Sequence, residues 1–194
     1  MSVLGTLDRG LVFVISAPAG TGKTTLVRML TEEFDCVVES VSCTTRKPRA
    51  NEKEGVDYFF VSEVQFQAMI KEGEFLEYAH VFGRYYGTSR HALEKQLKRG
   101  KHVILVIDTQ GAEQVKKQID AIYIFIRPPN FDELKQRLHG RQSETKEAIA
   151  TRLSWAEREL EAAKHYDYQV VNEDLKTAYE ILRSILIAEE HKNR

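Results

Sequence analysis

The stretch LVFVISAPAGTGKTTLVRML, residues 11–30, decides the fold. Its opening, Leu11 to Ser16, is a short apolar run that breaks at a Pro/Ala/Gly turn. Leu26, Val27 and Leu30 then recur at helical spacing. Strand, loop and helix therefore follow one another. The loop, Ala17-Pro18-Ala19-Gly20-Thr21-Gly22-Lys23-Thr24, fits GxxxxGK followed by Ser or Thr, except that Ala17 takes the place of the first glycine. Small residues let backbone N–H groups close around phosphate oxygens, and the helix N-terminus adds partial positive charge. Lys23 is placed to reach β- and γ-phosphates, and Thr24 to hold Mg²⁺ directly or through its water, with Thr25 completing the loop. The competing reading is a small-residue turn with an incidental lysine, and the flanking strand and helix count against it. The motif points to a nucleoside triphosphate and leaves the acceptor unnamed.

Outward from this unit, HVILVID ending at Asp108 and AIYIFIR ending at Arg127 are short, β-branched runs followed by helical patterns. YQVVN at residues 168–172 precedes a helix whose Leu175, Ala178, Tyr179, Leu182, Ile185 and Leu186 form one apolar face. The expected fold class is α/β: a P-loop NTPase-type parallel sheet flanked by helices. Between residues 40 and 90 the pattern changes. DYFFV and EFLEYAHV read as strands around a helix that starts at a Ser62/Gln65 capping box and stops at Gly73. The chain is thus read as one unit of residues 1–194, with a core of 1–39 and 91–194 and a small β-rich insertion of 40–90. A mobile, solvent-facing lid is expected at about 140–154, where arginines abound and large apolar residues are few.

With 28 Lys+Arg against 29 Asp+Glu, no global field draws the chain to nucleic acid or an anionic membrane, so anion binding must be local. The two cysteines, Cys36 and Cys43, read as reduced thiols, and neither is assigned a function. No apolar run approaches a membrane span and the N-terminus lacks signal-peptide character, so a soluble, cytoplasmic protein is expected. The oligomeric state is not legible.

Further motifs follow in a fixed order: VSCTTRKPR (residues 41–49), GVDYFFV, FLEYAHVFGRYYGTS, ID-x-QGA (107–112), RLHGR from Arg137, and VNED (171–174). With the Ala-led P-loop, they make the chain resemble the guanylate kinases from end to end. That resemblance implies transfer of the γ-phosphoryl of ATP, with Mg²⁺, to the 5′-phosphate of GMP and also dGMP, as part of purine nucleotide metabolism. It places Arg46, Arg49, Tyr58 and Tyr86 on the GMP phosphate, and Glu77, Ser42 and Thr88 on guanine. Asp108 falls where it can orient a Mg²⁺ water or contact the acceptor. Arg137, Arg141 and Arg152 match arginines that approach the phosphates from the lid side, and Asn172 falls in the adenine-side loop.

The chemistry agrees. A phosphate dianion calls for guanidinium forks and phenolic hydroxyls. Guanine's N1–H and N2–H₂ donors beside O6 call for a carboxylate plus a hydroxyl. A solvated basic turn at Arg46 and Arg49, strand-packing tyrosines, an outward-facing Glu77 and helix-surface lid arginines are the bland alternatives. Tyr85 is read as structural. One departure is Val106, where many family members carry an acidic residue. A kinase of ribosyl phosphates would not need Ser42, Tyr58, Glu77 and Thr88. A phosphopeptide-binding relative would not need an intact Gly22-Lys23-Thr24.

Overall fold

The computed structural model describes residues 3–81, 83–139 and 146–193, with the side chains of 138–139, 146–150 and 152 also outside the description. The chain opens with β1 (Val12–Ser16), α1 (Lys23–Glu33) and β2 (Val37–Glu39). It continues through β3 (Ser42–Thr44), β4 (Tyr58–Phe60), α2 (Glu63–Lys71), β5 (Phe75–Val81) and β6 (Arg84–Ser89). Next come α3 (Arg90–Leu97), β7 (His102–Val106), α4 (Thr109–Lys116) and β8 (Ile122–Arg127). The last elements are α5 (Phe131–His139), α6 (Lys146–Ala162), a 3-10 turn (Ala163–His165), β9 (Tyr168–Val171) and α7 (Leu175–Glu190).

Five strands form a parallel sheet in the order β2-β7-β1-β8-β9, the expected core. All five residues of β1 are buried, and their alternation assigns them to two faces. Phe13 and Ile15 pack with Leu26 and Leu30 of α1 and with Leu182 and Leu186 of α7. Val12 and Val14 pack with Leu93 and Leu97 of α3 and Val115 of α4. Burial on both faces is why β1 reads as an unbroken apolar run. Because β1 lies between β7 and β8, the phosphate loop and Asp108 emerge side by side at the carboxyl edge of the sheet, where open α/β folds bind ligands.

A second sheet, β4-β3-β6-β5, is built from residues 42–89. β3 runs parallel to β4, while β6 is antiparallel to β3 and β5. Its core is an aromatic stack, with Phe66 at 4.5 Å from Phe75 and 5.3 Å from Tyr85, so Tyr85 packs as expected. Gly87 makes room for it: a Cβ there would lie 2.9 Å from Phe75 Cδ1. The Ser62/Gln65 capping box is present at the start of α2, and Gly73 adopts φ 68 just past its end. Strands β2, β3 and β6 were not distinguished by periodicity. Of the stretch read as a lid, residues 140–145 lie outside the described residues. Residues 146–154 are helical and begin α6, which packs through Ala156 against Leu134 of α5.

The chain ends are tied to β7 by one buried carboxylate. Glu190 of α7 accepts from Gly5 N and Thr6 N at 2.8 Å each, from Thr6 Oγ1 at 2.5 Å and from His102 Nε2 at 2.6 Å. Leu11 N–H donates to His102 Nδ1 at 3.1 Å, so Nε2 carries the imidazole proton. Burial pushes the Glu190 carboxyl up, but the bonds from Thr6, Gly5 and His102 outweigh it and hold it at about 2. This stability is present above the ordinary carboxyl value of 4.5 and is lost as pH falls toward 2. Glu190→Gln is predicted to lower unfolding stability by about 3 kcal/mol near neutral pH, and to remove that part of the acid dependence. Urea midpoints measured from pH 2 to 7 at constant slope test this.

Candidate active site

The start of α1 differs from those of α2, α3, α4 and α7. Ser62, Ser89, Asp108 and Asp174 each cap their helix with a side-chain oxygen, whereas Gly22 caps α1 with no side-chain bond. Its first N–H groups therefore remain for an anion. Gly20 (φ 89) and Gly22 (φ 84) supply the left-handed conformations that fold the loop back, so alanine is accommodated at position 17. Pro18 to Thr25 line a cavity of about 250 Å³.

Thr21 Oγ1 donates to Pro18 O at 2.9 Å, and Asn172 Nδ2 donates to Thr21 O at 2.7 Å. Asn172 is buried, and a Cβ on Gly22 would come within 2.6 Å of its Nδ2. The Asn172 side-chain amide thus braces the phosphate loop. Arg137 donates to the Asn172 carbonyl at 3.1 Å and to Glu133 at 3.1 Å, which sets this arginine beside the same loop. Arg141 lies outside the described residues, as does the side chain of Arg152 in α6.

A second cavity of about 250 Å³ lies between the two sheets. Lys23, Ser42, Tyr58, Glu77, Tyr86 and Asp108 line it, together with Val106 and the apolar wall of Ala79, Val81 and Ile107. Six expected site residues from five different segments thus meet in one place. Thr88 is buried behind Glu77 and donates to its Oε1 at 2.6 Å. Arg46 sits beside the cavity with its guanidinium 5.2 Å from the Tyr58 ring centre, and Tyr58 and Tyr86 meet edge to face at 6.1 Å. Arg49 is not drawn in: its side chain is 76% exposed and approaches Glu52 at 3.9 Å.

The core holds Glu77 from behind. Gln114 of α4 bonds Tyr78 N and O at 3.2 and 2.8 Å, and Gln118 donates to Leu76 O at 2.7 Å, so β5 is gripped on both sides of Glu77. Gly111 is required by this approach, since a Cβ would lie 2.5 Å from Glu77 Oε2. Burial pushes the Glu77 carboxyl up to about 7; the Thr88 hydroxyl lowers it and Asp108 raises it. Burial likewise pulls the Lys23 ammonium down, opposed by Glu159, Asp108 and Glu39. Asp108 Oδ1 caps α4 through Gly111 N at 2.8 Å, leaving Oδ2 buried with no hydrogen-bond partner.

Sequence reasoning missed Glu52, Gln114, Gln118 and Glu159. Glu52 holds Arg46 in a two-point contact of 2.8 and 2.9 Å and accepts from Arg49 N at 2.7 Å. Its position just after VSCTTRKPR was the available signal: an acid beside an arginine cluster in a turn. The glutamines and Glu159 act across the fold and leave no local pattern. Val106 puts an apolar surface on the cavity wall where many family members carry a carboxylate, so Glu77 and Asp108 are the carboxylates that line it.

Comparison with known proteins is consistent with this geometry. The guanylate kinase family matches residues 9–189. A guanylate kinase of Protochlamydia amoebophila is 56% identical over 191 residues, spanning 98% of this chain and 97% of that one. One from Chlamydia muridarum is 52% identical over 182 residues, spanning 93% and 89%. The crystal structure of guanylate kinase from Anaplasma phagocytophilum superposes with a TM-score of 0.78 at 35% identity, covering 99% of this chain and 91% of that one. A phosphate loop with an uncapped helix start, facing across Lys23 a buried carboxylate in a tyrosine-lined cavity, thus sits on a matching fold over nearly its whole length, and the chain belongs to the guanylate kinase family.

Proposed function

We propose that the chain phosphorylates GMP, and dGMP as a second acceptor, by in-line transfer from MgATP, with the residues around Lys23 doing most of the electrostatic work. The observation that carries this reading is that Lys23 lines the phosphate-loop cavity and the Glu77 cavity at once. A cation shared by two anion sites suits a reaction that must bring two polyanions together.

In this reading the donor triphosphate lies on the N–H groups of Gly20, Gly22, Lys23 and Thr24, with Lys23 bridging its β- and γ-phosphates. The GMP phosphate meets Arg46, Tyr58 and Tyr86. Glu52 fixes the Arg46 fork in advance, which reduces the entropy lost when the phosphate arrives. Arg49, exposed beside Glu52, has to swing inward to join them. Guanine N1–H and N2–H₂ donate to Glu77, whose second oxygen is already held by Thr88. Ser42 stands on the same wall. Adenine has an acceptor at N1 and no 2-amino group, so it would leave the buried carboxylate unpaired; sites of this kind discriminate by about 10⁴ or more. None of these contacts uses the ribose 2′-OH, which is why dGMP is included.

The attacking phosphate oxygen is mostly deprotonated at neutral pH, its second pKa being about 6, so no general base is required. Mg²⁺ fits the oxygen donors present: the exposed Thr24 hydroxyl on the first turn of α1 and the unpartnered Asp108 Oδ2 would hold it, directly or through water. When bound, it neutralises charge on the donor phosphates. Arg137, braced beside the loop, and Arg141 and Arg152 are assigned to the transferring group from the α5–α6 side. Among the described residues no helix is long and apolar enough to cross a membrane.

Several outcomes are expected in a coupled ADP-release assay. Lys23→Met lowers kcat/KM by about 10³-fold, the range seen when one charge-stabilising donor is removed. Gly111→Ala displaces Glu77 and raises KM for GMP with little change in KM for ATP. Glu77 must be ionised to accept from N1–H, and its carboxyl is raised to about 7, so kcat/KM for GMP falls as pH drops through 7. Glu77→Gln removes that limb and leaves only the titration of the phosphate itself. An unshifted limb in Glu77→Gln would place the base elsewhere.

A further inference from the structure

Residues 75–77 break the alternation of a strand. Phe75, Leu76 and Glu77 are all buried, and they enter three different places. Phe75 joins the aromatic stack of the second sheet, Leu76 packs with Val12, Leu93 and Val115 on the α3/α4 face of the first sheet, and Glu77 lines the acceptor cavity. The pairing with β6 accounts for this. Phe75 stands opposite Ser89 and Glu77 opposite Thr88, so β5 carries one residue more than its partner between these pairs, and Leu76 is left unpaired. Such a β-bulge re-aims the side chains beside it. With regular pairing onward from Phe75, Leu76 would face Thr88, and Glu77 would stand opposite Gly87, the position that exposed Tyr78 now holds. Glu77 would then point away from the cavity and lose the Thr88 hydroxyl.

The bulge lies on an edge strand, and α4 occupies that edge. The Gln114 amide accepts from Tyr78 N and donates to Tyr78 O, the two bonds that a further strand would supply. Gln118, in the turn that ends α4, donates to the carbonyl of Leu76 itself and to Gln114 O at 2.9 Å, while its Oε1 accepts from Arg90. We propose that Gln114 and Gln118 are positioning residues for base recognition: they hold the bulge at Leu76 in register and through it aim Glu77 into the cavity. This rests on the reading of Glu77 as the carboxylate that meets guanine. Both glutamines act from outside the lining of the cavity, so their effect on the acceptor passes through β5.

The test is a coupled ADP-release assay of the full chain carrying Gln114→Met and Gln118→Met together, which keeps side-chain length and removes the hydrogen bonds. The double variant is expected to raise KM for GMP by about 10-fold and to lower the GMP-to-AMP ratio of kcat/KM by a similar factor, the size expected when a few part-buried hydrogen bonds are lost, with KM for MgATP held within about twofold. In a Glu77→Ala background, with no carboxylate left to aim, the same pair should move that ratio by less than about twofold. A loss of selectivity that persists without Glu77 would overturn the proposal. So would a KM for MgATP that rises in step with that for GMP, which is the mark of a merely structural role, or a KM for GMP that does not move. If Glu77→Ala alone leaves the GMP-to-AMP ratio as it was, the guanine assignment itself falls, separately from the role of the glutamines. Should the double variant fold poorly, the single Gln118→Met, at an exposed position, is expected to lower the ratio by about 3-fold, and an unchanged ratio there would count against the proposal.

Discussion

Half-buried Lys23, at the meeting point of three cavities, is the constraint around which this site is arranged. In the proposed reaction Lys23 has to remain charged, because that charge is what would let a triphosphate and a monophosphate approach each other. Burial works against it, and the carboxylates of Glu159, Asp108 and Glu39 oppose burial. The fold supplies them from separate elements: α6, the start of α4 and the end of β2. Placing β1 between β7 and β8 is what brings the loop and Asp108 to the same edge. The second sheet then closes the space above Lys23 with Tyr58, Glu77 and Tyr86.

A second tension concerns Glu77. A buried carboxylate without a full set of donors is expensive, and its raised pKa expresses that. The fold accepts the penalty by gripping β5 through Gln114 and Gln118 and by leaving no side chain on Gly111. In the proposed reading, binding guanine offsets it, since guanine carries the two donors that the carboxylate lacks. With Val106 apolar, the remaining wall offers little else to distinguish one purine from another. On the proposed reading, selectivity in this chain rests more heavily on Glu77 than it would with a carboxylate at position 106.

What the sequence made legible follows from what is local. The β1–loop–α1 unit could be read because burial on both sheet faces leaves an unbroken apolar run and the loop chemistry is confined to consecutive residues. The α2 start was readable from its capping box, and the parallel core from β-branched runs that alternate with helices. Residues brought together across the fold were harder. Ser42, Tyr58, Glu77, Tyr86 and Asp108 were reached through resemblance to a family, since nothing in their spacing says that they share a cavity. Glu159 and the bracing glutamines had no local signature at all. For Asn172 the neighbourhood could be placed from the sequence, but the direction of its amide, toward Thr21 O, could not. The short strands β2 and β3, three residues each, fall below the length at which alternation carries information.

The central claim is that a carboxylate held beside Lys23 selects guanine as the base of the acceptor. The most direct measurement is kcat/KM for the wild-type chain with MgATP and each of GMP, AMP, CMP and UMP, by coupled ADP release. The account predicts rapid turnover with GMP and a preference of about 10⁴ or more over the other three. Comparable turnover of AMP, or phosphorylation of none of the four despite ATP binding, would contradict it.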